Sequence, residues 1–212
     1  MEQNRMVKKI MLYVQVRFLS PLNVSSGEEE WTDADLLRDG NGNVFVPGSS
    51  LAGAMRAYLR KEKNEPCLLG YTKKEKNGQD TGKMSALFIS DLTFDEQPLS
   101  GVRDGVELTA QKTAKTESKY DMEILEAGSR AHSFLELTVR EQDNEAEMQQ
   151  EIAKIFQGIK EGEIRLGGKK TRGFGKFDIL SVAEKEYTKE NYADYANAYQ
   201  NDSWRGAENQ LK

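Results

Sequence analysis

The chain holds one cysteine, Cys67, and one histidine, His132. A single cysteine excludes an internal disulfide and fits a reducing compartment. One cysteine and one histidine also exclude a zinc site built from such residues, which needs several of them. Cys67 follows Pro66 with no histidine or asparagine motif beside it, so it does not read as a nucleophile. Long apolar runs are missing as well: 37% of the residues are hydrophobic, yet no run approaches the ~20 residues that span a bilayer. The start from Met1 to Lys9 is polar and leads straight into an alternating pattern, so no secretory leader and no membrane partner are expected, and the expected compartment is the cytoplasm. Positive charge is outnumbered, with 30 Lys and Arg against 35 Asp and Glu, a net −5. That balance argues against indiscriminate binding to nucleic acid, but its distribution is uneven. Between Lys160 and Lys176 the basic residues Lys160, Arg165, Lys169, Lys170, Arg172 and Lys176 stand against Glu161 and Glu163, a local +4 that leaves −9 elsewhere.

The most informative stretch lies inside that basic window. Gly167 to Lys176 packs four glycines, four cations and Phe174 into ten residues. Glycine lets a backbone take positive φ and approach another surface closely, and exposed N–H groups beside Lys and Arg suit phosphate. The run is not a dinucleotide fingerprint. Gly168 and Gly173 have the separation of a P-loop, but Phe174 and Gly175 follow where Lys and Ser or Thr belong. By itself the run fits a polyanion-binding loop or a plain glycine-rich turn.

Periodicity orders the rest. Lys8 to Ser20 alternates as a strand that Pro21 ends, and Asn23 to Asn43 reads as an acidic loop tipped by the turn Asp39–Asn43. Val44 to Val46 is a short strand. Ser49 or Ser50 is expected to cap a helix to about Lys63, with Leu51, Ala54, Met55, Tyr58 and Leu59 on one face. Glu65 to Lys83 reads as a polar loop and Ala86 to Phe94 as one strand. Asp95 to Arg130 lacks a clean period and reads as an insertion holding two short strands. His132 to Arg140 is a strand, Ala146 to Lys160 an amphipathic helix, and Ile164–Leu166 and Gly175–Val182 are strand-like pieces flanking the glycine run. The order β-α-β-β-α-β predicts an α+β fold with a ferredoxin-like core, the architecture of RNA-recognition modules. One domain is expected over residues 1–183, with a thumb inserted at about 95–130 and a long acidic loop. Residues 184–212 are expected to be a polar C-terminal tail, helical around Tyr187–Tyr199.

Three segments carry a family resemblance. Val46 to Arg56 (VPGSSLAGAMR) resembles the Ile-Pro-Gly-Ser-Ser-Leu element of the RAMP superfamily of CRISPR proteins. The Gly167–Gly175 run is similar to that family's C-terminal glycine-rich loop. Phe88 to Asp91, followed by the insertion and Tyr120-Asp121-Met122-Glu123, resembles its strand and thumb. Length and the Asp-rich loop favour, within the family, the repeating backbone subunit of a type III effector complex. Such subunits polymerise along a CRISPR guide RNA beside other type III effector subunits, and many cut the bound target RNA.

The resemblance implies RNA contacts at Gly48, Ser49, Ser50, Arg56, Lys112, Lys115, Gly168, Lys169, Lys170, Arg172 and Gly173. Ala52 and Ala54 stand where many relatives carry lysine, which leaves Arg56 as the cation of that element. The family's cleaving aspartate precedes a second one in a pattern like Asp-x-x-x-x-x-Asp, matched by Asp33 and Asp39, with Asp35 as competitor. The implied cofactor is Mg²⁺ or another divalent cation on Asp33, in a loop that also carries Glu28 to Glu30. Two alternatives stand beside target cleavage: a catalytically inert structural RNA-binding subunit, and a guide-processing RNase of the same superfamily. The latter usually wants a histidine as acid and base, for which this chain offers only His132.

Overall fold

Ile10, Leu12, Val14, Val16 and Phe18 alternate along strand β1 (Met6–Phe18), and all five are buried on one face. The computed structural model describes residues 4–25, 32–61, 66–74, 80–108, 114–200 and 204, and the side chains of 73–74, 80, 106–108 and 114–118 lie outside that description. Along the chain follow β2 (Phe45–Val46), α1 (Gly48–Leu59), β3 (Tyr71–Lys74), β4 (Asp80–Lys83), β5 (Leu87–Ile89) and β6 (Leu92–Phe94). Then come β7 (Ser100–Leu108), β8 (Ala114–Leu125), β9 (Arg130–Arg140), α2 (Glu145–Lys160) and β10 (Phe177–Tyr187).

The fold is α+β. In the main sheet β1 runs between β10 and β9; β9 pairs β5 and then β6, and β2 lies outside β6, with every pairing antiparallel. Both helices pack on one face. Leu51, Met55 and Leu59 of α1 and Met148, Ile155 and Ile159 of α2 meet the buried side of β1 in one core. Gly158 is where the helices touch most closely: a Cβ there would fall 2.6 Å from the Tyr58 ring. No helix of the described residues is long and apolar enough to cross a membrane.

Several segments differ from the sequence expectation. The strand expected over Ala86–Phe94 is broken, because the step from Ile89 to Thr93 faces the shorter step from Leu135 to His132, which bulges the chain at Ser90–Asp91. The bulge brings the Asp91 carboxylate to α1, where Oδ1 accepts the Gly48 N–H at 2.8 Å. Pro47 holds the N-cap position with no side-chain cap, so Asp91 does the work expected of Ser49 or Ser50. The loop expected over Glu65–Lys83 contains the hairpin β3–β4 and the buried Leu68 and Leu69. The insertion forms one long hairpin, β7–β8, instead of two short strands. Its base is stitched to the core by reciprocal Leu22–Leu125 hydrogen bonds of 2.9 and 2.8 Å. Ile164–Leu166 forms no strand; Ile164 and Leu166 bury their side chains beside the glycine run.

The second face of the sheet is covered from the C-terminal side. β10 continues to Tyr187, past the boundary expected at residue 183, and a 3-10 turn follows at Tyr192–Asn197. Met11, Phe134, Ala183, Tyr187, Ala198 and Trp204 form a small core there. Glu136 of β9 accepts from Lys9 at 2.5 Å, Tyr195 at 2.5 Å and Tyr199 at 2.6 Å. The described part of the expected polar tail therefore packs on the sheet.

Candidate nucleic-acid interface

The glycine run is built by contacts that a side chain would obstruct. Gly167 takes φ +72°, and a Cβ on it would fall 2.2 Å from the Asn23 carbonyl oxygen. At Gly175, φ +76°, the added carbon would fall 1.9 Å from the Leu166 oxygen. Between them the Gly168 N–H donates to Asn23 O at 2.8 Å, Lys169 sits in the left-handed region at φ +54°, and Lys170–Arg172 make a 3-10 turn. Lys169, Lys170 and Arg172 are all exposed. Two of the three are also held by Tyr120 at the foot of the hairpin. The Arg172 guanidinium donates to its hydroxyl, and the Lys169 ammonium lies 4.5 Å from its ring centre. The bond from Arg172, aided by the charge of Lys169, holds the Tyr120 hydroxyl below its ordinary pKa. Phe174 is half-buried, with the guanidinium of Arg103 from β7 over its ring at 5.7 Å.

The acidic loop separates its carboxylates by job. Asp39 closes the turn: Oδ1 accepts from the N–H groups of Asn41 at 2.8 Å and Asn43 at 2.9 Å, and the bonds from Asn43 hold its carboxyl below the usual range. Asp35 is buried, and its Oδ1 accepts the N–H and hydroxyl of Thr32 at 2.9 and 2.7 Å. Asp33 is exposed, and it exchanges hydrogen bonds with Asp121 of β8. Its N–H donates to Asp121 Oδ1 at 3.0 Å, and its Oδ2 accepts the Asp121 N–H at 2.8 Å. Two residues on, the buried Glu123 accepts the Leu36 N–H at 3.1 Å and pairs with Arg38. Glu28 to Glu30 lie outside the described residues.

Asn23 joins the two loops. Its carbonyl holds Gly168, while its amide donates to Glu123 O at 2.8 Å and Ala34 O at 3.4 Å. Gly168, Lys169, Lys170, Arg172 and Gly173 therefore share a support with Asp33. The first-turn residues Ser49 and Ser50 of α1 are exposed, while Gly48 is buried against Ile89. Farther along α1, Ala54, Ala57 and Lys61 line a cleft of about 300 Å³ with Arg165, Lys170 and Thr171, so the helix borders the glycine loop. Arg56 is turned elsewhere: its guanidinium donates to Leu69 O at 2.8 Å and lines a separate cleft with Arg60 and Tyr71. Lys112 lies outside the described residues, as does the side chain of Lys115.

A cleft of about 580 Å³ is a poor seat for a polyanion, since Asp39, Asp91, Asp95 and Glu96 line it with Arg38. His132 is buried, and its Nδ1 lies 2.6 Å from Asp95 Oδ1 with Tyr13 and Phe134 around its ring. Sequence reasoning missed Asn23, Tyr120, Asp121 and Glu123 as parts of the frame. The adjacency of Tyr120 and Asp121 beside a thumb was visible; nothing local marks Asn23, whose partners lie about 10, 100 and 145 positions away. Compared with known proteins, residues 15–178 match the model of the RAMP superfamily. No curated protein matches the chain.

Proposed function

Since the chain belongs to the RAMP superfamily of CRISPR proteins, a membership that implies binding of CRISPR RNA, we propose that it is the repeating backbone subunit of a type III effector complex and cuts target RNA at Asp33. The observation that carries this reading is the frame in which Asn23 and β8 hold the basic glycine loop and an exposed aspartate together. The sheet order, with both helices on one face, supports a ferredoxin-like, RNA-recognition-module-like core carrying β7–β8 as its thumb.

Lys169, Lys170 and Arg172 neutralise guide phosphates without reading bases, as a scaffold for any guide requires. Copies of the chain line up along that guide beside other effector subunits, and the thumb separates successive segments of the guide–target duplex. Asp33 stands on an exposed loop and meets a splayed-out target nucleotide without the penalty of burying its charge. Its Oδ1 accepts no hydrogen bond among the described residues, and oxygen ligands of this kind, with phosphate oxygens, suit magnesium. Asp33 would hold that ion, which would supply charge stabilisation at the scissile phosphate. The frame's part is to fix Asp33 relative to the guide, and so to fix which target 2′-hydroxyl stands in line for attack.

The test uses reconstituted complex and end-labelled target RNA. Asp33→Ala and EDTA are each expected to abolish cuts at regular intervals while guide and target stay bound. Full cleavage by Asp33→Ala would leave the inert structural subunit as the answer. Loss with Asp35→Ala alone would move the site by two residues, and cleavage in EDTA would remove the metal.

A further inference from the structure

We infer that Asp121 is a positioning residue for Asp33, and that β8 from Tyr120 to Glu123 is the rail on which the acidic loop and the glycine loop are kept in register. The inference rests on the proposed role of Asp33 and adds a residue to it. The exchange between the two aspartates is reciprocal, 3.0 Å one way and 2.8 Å the other, so each backbone N–H is bound by the other's carboxylate. The neighbours of Asp121 on β8 hold the flanking parts of the site. Tyr120 takes Arg172 and Lys169 from the glycine loop, and Glu123 takes the Leu36 N–H and the Arg38 guanidinium from the acidic loop. Behind them the buried Asn23 ties Glu123 and Ala34 to Gly168. The rail itself is fixed, because Met122, Ile124 and Leu125 are buried and Leu125 is bonded to Leu22 in both directions.

This arrangement assigns separate jobs to the two carboxylates. Asp33 Oδ2 is occupied by a main-chain N–H, which aims the carboxylate, while Asp121 Oδ1 restrains the Asp33 backbone. What Asp121 supplies is therefore an acceptor, a property that asparagine keeps and alanine loses. Because Asp121 stands at the foot of the hairpin, a displacement of the thumb base is transmitted to Asp33 through two hydrogen bonds.

The experiment compares Asp121→Ala, Asp121→Asn and Asp33→Ala in the full chain. Single-turnover target cleavage and target affinity are measured in reconstituted complex, and amide hydrogen exchange at Asp33 in the purified protein. Asp121→Ala is expected to slow cleavage by roughly 10- to 100-fold with target affinity unchanged, the scale set by small misplacements of a reacting group. It is also expected to speed exchange at the Asp33 amide about tenfold, the size of one lost hydrogen bond. Asp121→Asn should leave both near wild type. If Asp121→Asn cleaves as slowly as Asp121→Ala with the Asp33 amide still protected, Asp121 acts by its charge and the inference is overturned. Normal cleavage by Asp121→Ala, with Asp33→Ala inactive, overturns it while leaving Asp33 in place. Normal cleavage by Asp33→Ala removes the role of Asp33 and takes this inference with it.

Discussion

Lys169 and Arg172 are presented and restrained at once: exposed to solvent, yet held over the ring and hydroxyl of Tyr120. Restraint lowers the entropy lost when a cation meets a phosphate, so under the proposed function these two side chains are expected to outweigh surface lysines at large in RNA affinity. Replacing Lys169, Lys170 and Arg172 by Ala is expected to reduce RNA co-purification and to flatten the salt dependence of binding by up to three phosphate contacts. Unchanged retention at 200 mM salt, measured by filter binding, would remove the glycine loop from the interface. Glu136 illustrates a different use of charge. Burial pushes its carboxyl upward, but the bonds from Lys9, Tyr195 and Tyr199 outweigh that and hold it below the ordinary glutamate range. Desolvation, with the Glu136 bond adding to it, pushes the Tyr199 hydroxyl well up.

Among the elements, β7–β8 is anchored at its base. Met122, Ile124 and Leu125 are buried, and Leu125 is bridged to Leu22. Among the described residues, the contacts of the hairpin with the rest of the chain reach from Leu125 out to Arg103 and Tyr120, and the part beyond them is expected to be dispensable for folding. Replacing residues 106–119, beyond the Gly105–Tyr120 pair, by a short turn is expected to leave a folded monomer, seen as an unchanged melting transition. The same variant is expected to fail to form ordered assemblies on guide RNA by electron microscopy. Normal assembly would show that the hairpin does not space the subunits. The helices were legible in the sequence because their apolar faces recur every three to four residues. The hairpin was not, because charged residues fall at odd and even positions alike along its sequence and leave no alternation to read. The break between β5 and β6 was hidden too: Leu92 and Phe94 continue the apolar pattern of Leu87 and Ile89, and only pairing with β9 reveals the bulge.

At the scale of the whole molecule, the sheet is closed on both faces, by the helices on one and by residues 188–200 with Trp204 on the other. A lowered folded-state pKa at Glu136 means its contribution is present above the unfolded value and is lost as the pH falls through the folded one, on the acid side of the ordinary glutamate range. Glu136→Ala, which leaves Lys9 without its carboxylate, is expected to destabilise the fold by about 3 kcal/mol in urea titrations. It should also flatten the loss of stability towards acid pH that the Glu136 carboxylate contributes, read as the urea midpoint against pH; an unchanged midpoint would make the network incidental. The sequence by itself determined the periodic strands and helices, the α+β order and the chemistry of its loops, because those depend on residues a few positions apart. It also singled out Asp33 and the glycine run, through local motifs. Tertiary structure alone decided that Asp35 is buried, that Asp91 rather than a serine meets the start of α1, and that Asn23, Tyr120, Asp121 and Glu123 join the two loops. Most of these contacts join residues tens of positions apart, with no period or motif to announce them, and they exist only once the fold has set β8 and the glycine run against the segment that follows β1.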